Sequence, residues 1–257
     1  MSGAALAYHQ FRYDQKVFWR NPATVFFTVM LPVIFLLMLA SIFGNETLEG
    51  RGGLRVATYY VPGIITLAVV SATLVNVAMR VVEAREGGRL KRIRGTPLPV
   101  WAFVAGRVGN AVVISLLMVV IVGLIGRVVY DVGIPTATIP ALLVTLVVGA
   151  FAFCCLGFAL SAVIPSEDAA PPITNATVLP LYFLSGIFIP ESEIPDSVLT
   201  IADLFPIRHF FEALLTVYDP ATTGAGFEWG DLAFVAVWGL AGLLIALKTF
   251  RWTPRDG

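Results

Sequence analysis

The stretch EAREGGRLKRIRGTPLP, Glu83 to Pro99, gathers five of the chain's seventeen Lys and Arg residues, with Arg80 and Arg107 close by. Glu83 and Glu86 sit among them. No Cys, Ser or His stands in the stretch, so its residue types make no nucleophile and no neutral base. What they can do is dock, either by ion pairs to a protein partner or on the phosphates of anionic lipid. The two readings are equal on physical grounds.

Chemistry elsewhere is sparse. No GxxxxGK[ST] phosphate loop and no HExxH or Cys/His cluster occurs. His9 and His209 are far apart, and no Ser has both a His and an acid nearby. The sequence therefore predicts a non-catalytic chain with no cofactor of its own, no metal site and no nucleic-acid partner. Cys154 and Cys155 are adjacent and read as small packing hydrophobes. The apolar runs carry hydroxyls and amides but no midplane charge of the kind an ion-coupled carrier uses. Most of these groups read as helix–helix hydrogen bonds. Asn76, Asn175 and Thr177 are the candidates for lining a path, with Tyr182 and Ser185 beside them.

These residues have to be positioned by elements built for a bilayer. The chain has 257 residues, 58% hydrophobic and only 13% charged. That leaves too little polar surface to cover a soluble domain of this size. The apolar runs predict an all-α polytopic membrane protein, one transmembrane domain over 1–257, with six spans at 22–44, 58–81, 101–126, 140–164, 171–189 and 231–250. Residues 3–20 are expected to form an amphipathic interfacial helix, with Ala4, Ala7, Tyr8, Phe11 and Phe18 on its apolar face. No secretory signal peptide is expected. Pro32 is expected to kink the first span. In the outer segment 190–229, PDSVLTIADLF and IRHFFEALLTVYD read as two short re-entrant helices, with Arg208 and Glu212 spaced to pair. Trp19, Trp101, Trp229 and Trp252 fall at span ends, as an aromatic belt would.

Six spans put both termini on one side. Thirteen of the basic residues then share that side with the 80–107 loop, and four lie opposite. The excess of Lys and Arg places both termini and Glu83–Pro99 in the cytoplasm. Glu83–Glu86 should prolong the second span, Gly87-Gly88 should break it, and a short elbow helix should follow with Leu90 and Ile93 facing the membrane.

VVEAREGGRLKRIRGTPLPVWAFVAGRV resembles the loop after the second span in ABC transporter permeases of type 2, the daunorubicin-resistance and multidrug-export kind. Glu83, Gly87, Thr96, Pro97, Leu98, Gly106 and Arg107 match. LPLYFLSGIFIP is similar to the family's fifth-span signature. LFPIRHFFEAL is similar to the helix after it, with Phe205 where Asn is common. The resemblance covers nearly the whole chain. It implies a bacterial or archaeal cell-membrane protein that pairs with a second permease copy, identical or closely related. Two separate ATP-binding cassette subunits, which hold the ATP and Mg, would dock beneath. The segment 83–96 would be the coupling helix, with Glu83, Arg85, Glu86, Gly87, Arg89, Arg92, Thr96 and Pro97 meeting the ATPase. Residues 3–20 would be the connecting helix, and the helices carrying Arg208 and Glu212 an extracellular lid. The cargo expected is a lipophilic drug, lipid or glycan moved outward by alternating access. A stand-alone carrier or channel is the other class, and a scaffold without transport a third.

Overall fold

The computed structural model describes residues 3–43, 46–48, 53–95, 99–190 and 193–249. Helix α1, Gly3–Trp19, is followed by α2, Pro22–Ile42, and a two-strand hairpin of β1, Thr47–Leu48, and β2, Leu54–Arg55. The strands pair antiparallel, Thr47 opposite Arg55. Then come α3, Val56–Glu86; α4, Arg89–Arg94; α5, Val100–Tyr130; α6, Ile139–Val163; and α7, Ala170–Leu184. Helices α8, Asp196–Ala202, α9, Pro206–Tyr218, and α10, Trp229–Thr249, complete the described chain. Among the described residues, five helices are long and apolar enough to cross a membrane: α2, α3, α5, α6 and α10.

The expected fifth span, 171–189, is shorter than anticipated. Helix α7 has 15 residues, about 22 Å at the usual rise, against a core of roughly 30 Å. Its end has a local cause. Gly186 takes φ +84, a conformation few side chains tolerate, and the turn is tied down by α3. Tyr59 donates to Gly186 O at 2.6 Å and Tyr60 to Phe188 O at 3.3 Å. Non-helical backbone at such a depth is stable when buried in protein, and Ser185, Gly186 and Ile187 are buried.

Other boundaries shift for physical reasons. Helix α5 runs four residues past the expected 126 because Arg127, read as the end of the apolar run, pairs with Asp131 one turn on at 2.6 Å. Asp131, at φ 53, closes the helix with its N–H on Gly126 O. Helix α3 extends to Glu86, and only Arg89–Arg94 forms a separate elbow helix within the expected 83–96. Near Pro32, α2 widens into a π turn over Phe26–Met30, with Leu31 N–H bonded to Phe26 O. A proline cannot donate and crowds the preceding turn, and the wider turn relieves both. A second π turn, Ser71–Val75, interrupts α3.

The core centres on α3, whose residues Val56–Val70 are all buried. Two contacts hold its π turn. Tyr182 of α7 donates to Leu67 O at 3.2 Å, so the Ser71 hydroxyl, 3.0 Å away, donates to the phenol. From α6, Gly157 presses on Leu74: a Cβ there would lie 2.7 Å from the Leu74 carbonyl oxygen.

Helix α9 is not a surface element. Nine of its 13 residues are buried. Phe210 meets Phe153 of α6 and Phe211 meets Tyr59 of α3, each edge-on at 5.3 Å between ring centres. Of the two short helices expected after the fifth span, this one packs inward, with Phe210, Phe211, Leu214 and Leu215 in the core.

Candidate functional site: the charged elbow and its mounting

Helix α3 passes Glu86 and stops at Gly87. Gly87 N–H bonds to Glu83 O at 3.0 Å and Gly88 N–H to Arg85 O at 3.1 Å. Gly88 at φ +67 turns the chain into α4. Leu90 is fully buried with Val81, Ala84, Phe103 and Phe158, so it faces the bundle, not the lipid as expected. The apolar seat among α3, α5 and α6 outcompetes the membrane surface. The side chain of Ile93 lies outside what the structure describes, as do residues Thr96 and Pro97.

The elbow's outer face is charged. Arg89 and Glu83 pair, with side chains 47% and 40% exposed, and Lys91 and Arg92 are exposed. Glu86 is partly covered and accepts from Arg85 Nε at 2.7 Å. Arg85 itself departs from the expected docking set. Its side chain is 2% exposed, and its guanidinium points at the end of α6. It donates to Ser161 O at 3.0 Å, Ile164 O at 2.7 Å and Pro165 O at 3.3 Å.

Beside the elbow, α1 lies across α5. A Cβ at Gly106 would stand 2.7 Å from Gln10 Cγ and 3.1 Å from Phe11 N, so only glycine permits this crossing. Arg107 Nε lies 3.6 Å from Asp14 Oδ2, and Gln10 donates to Asp14 Oδ1 at 3.2 Å. The Arg107 guanidinium also sits 5.2 Å from the Phe103 ring centre, within cation–π range. The buried face of α1 therefore carries Asp14 as well as Phe18, while Tyr8, expected on the apolar face, is 62% exposed.

The path candidates do not converge. Asn76 accepts from Arg80 Nε at 3.2 Å. Tyr182 and Ser185 are buried, with Ser185 donating to Tyr182 O at 2.9 Å. Asn175 and Thr177 are both exposed on α7 but lie about 200° apart around it. At the other end of the bundle, Arg208 Nε pairs with Asp203 at 2.5 Å. His209 has acceptors at both ring nitrogens, Asp231 Oδ1 at 2.7 Å and Asp203 O at 2.9 Å, and fastens α9 to the start of α10. Among the described residues no three His, Cys, Asp or Glu group to hold a metal.

Residues missed in the sequence had a signal. Ala78, Val81, Val82 and Arg85 follow i, i+3, i+4, i+7, as do Ala7, Gln10, Phe11 and Asp14. Each charge thus falls on a helical stripe otherwise made for packing.

Comparison with known proteins gives a consistent picture. Residues 8–218 match the family described as ABC-2 type transporter. The putative transport permease YvfS of Bacillus subtilis is 22% identical over 197 residues, covering 77% of this chain and 79% of its own. The daunorubicin resistance ABC transporter permease protein DrrB1 of Streptomyces coeruleorubidus is 30% identical over 197 residues, 73% of this chain and 66% of its own. The probable multidrug ABC transporter permease YbhR of Escherichia coli is 25% identical over 161 residues, 62% of this chain but 43% of its own.

Proposed function

Since this chain belongs to the ABC-2 type transporter family, we propose that it is the membrane subunit of an ATP-driven exporter, powered through its elbow by separate ATPase subunits. The observation that carries this reading is the construction of the elbow: a charged outer face on a helix whose other face is seated firmly in the bundle. A loop that only rests on lipid headgroups has no need of a buried Leu90. Exposed ion-pairing groups choose partners more than they add stability. Glu83, Glu86, Gly87, Arg89 and Arg92 form the docking face, and Thr96 and Pro97 belong with it by resemblance.

On this reading α7 together with its buried turn makes a sixth crossing, both termini lie in the cytoplasm, and two permease copies face each other. Helix α7, with Asn175 and Thr177, borders the path between them. Helix α9, with Arg208 and Glu212 on its polar side, closes the outer end as a fixed plug. The cargo class is lipophilic or amphiphilic, supported by the apolar spans and by relatives named for multidrug and daunorubicin resistance.

The direct test is to purify the tagged chain from its native membrane in mild detergent and identify what stays bound. A soluble ATP-binding cassette subunit in equal proportion is the expected result. Recovery of the chain with lipid alone, from membranes in which it is active, would overturn the proposal.

A further inference from the structure

Arg85 is a buried cation that lies behind the docking face, held to it by Glu86. Its Nε donates to Glu86, and its two terminal nitrogens reach three carbonyls at the end of α6 and the turn after it. The last carbonyls of a helix lack backbone partners and carry partial negative charge, so a guanidinium there is well placed. Its rigid fork can reach several acceptors at once, which a lysine ammonium on a flexible stem cannot reproduce. Around it, Ala78 and Val82 of α3 pack with Ile164 and with Ala170 at the start of α7. Two residues beyond it the chain turns at Gly87-Gly88, and past the turn Leu90 is fully buried in one apolar cluster with Phe103 of α5 and Phe158 of α6.

We infer that Arg85 is a positioning residue that ties the base of the elbow to the end of α6, so that these and the start of α7 packed beside them move as one body. A push on the elbow then displaces the α6–α7 pair, and with it Asn175 and Thr177, and not α3 alone. This assignment rests on reading the elbow as the point where an ATPase acts.

The test places spin labels at Lys91→Cys and Asp168→Cys, both exposed, in the chain assembled with its co-purified ATPase in nanodiscs. One narrow distance is expected without nucleotide and with ATP. In Arg85→Gln that distance should broaden or shift. Transport per ATP hydrolysed should fall about tenfold, the scale of stranding a buried acceptor, with KM for ATP unchanged. Arg85→Lys should recover part of the coupling. A control pair across α1 and α5, Tyr13→Cys with Trp101→Cys, should keep its wild-type distance in every variant. A narrow distance and full coupling in Arg85→Gln would overturn the inference. If Arg85→Gln also disturbs the control pair, Arg85→Lys decides: wild-type distance and coupling there would overturn it equally. The distance measured in the chain alone separates this inference from the docking reading, since it needs no ATPase.

Discussion

Gly157→Leu is expected to force α3 and α6 apart and to destabilise the fold. Even a single Cβ at this site would stand 2.7 Å from the Leu74 carbonyl oxygen and 3.2 Å from Leu74 Cα. Both are backbone atoms, so no rotamer change relieves the clash. The Leu74 backbone also belongs to the π turn that Tyr182 and Ser71 hold in place. Replacing a helical glycine gains about 1 kcal/mol in helix propensity. Overpacking costs about 3 kcal/mol or more where the backbone has to move. The clash therefore wins by about 2 kcal/mol, and the unfolding midpoint in detergent should fall by roughly 4–8 °C. Gly123→Ala is the control: its Cβ would meet the Tyr218 hydroxyl at 3.5 Å, an ordinary contact, and the midpoint should hold or rise. Equal stability of Gly157→Leu and the native chain would contradict the close seating of α6 on the π turn.

Glu83→Ala should have the opposite profile, with the fold intact and coupling lost. The carboxylate is 40% exposed and, among the described residues, pairs with the exposed Arg89. A surface pair of this kind contributes at most about 1 kcal/mol, so thermal stability should change little. If Glu83 meets the ATPase, cargo-stimulated hydrolysis in reconstituted vesicles should fall roughly tenfold or more, as for other desolvated interface charges. Unchanged stimulation with a correctly folded variant would remove Glu83 from the docking face.

The helical, membrane-spanning character was legible because it depends on length and apolarity alone. The elbow was legible because Gly87-Gly88 is an unambiguous break in a helical run. Helix α7 was overestimated because LSGIFIP is as apolar as a span, and only Tyr59 and Tyr60, more than a hundred residues away, decide that it turns. The helical spacing of α9 was legible, but the depth of its burial was not. Its paired Phe210-Phe211 and Leu214-Leu215 make an apolar arc wide enough for the core. The inward aim of Arg85 and Asp14 could be read from helical spacing, but their partners could not. Ser161, Ile164 and Pro165 offer Arg85 only carbonyls, which leave no mark in a sequence. The two π turns are equally silent, since nothing in SATLV requires one.

The central claim is that work enters this chain from outside, through its elbow. The measurement that bears on it most directly is uptake of a lipophilic dye into sealed vesicles containing the purified chain, with and without its co-purified ATPase. ATP-dependent accumulation against a gradient only when the ATPase is present, and loss of that accumulation in Glu83→Ala, is the result expected. Uphill accumulation by the chain alone, driven by an ion gradient and indifferent to ATP, would contradict the claim.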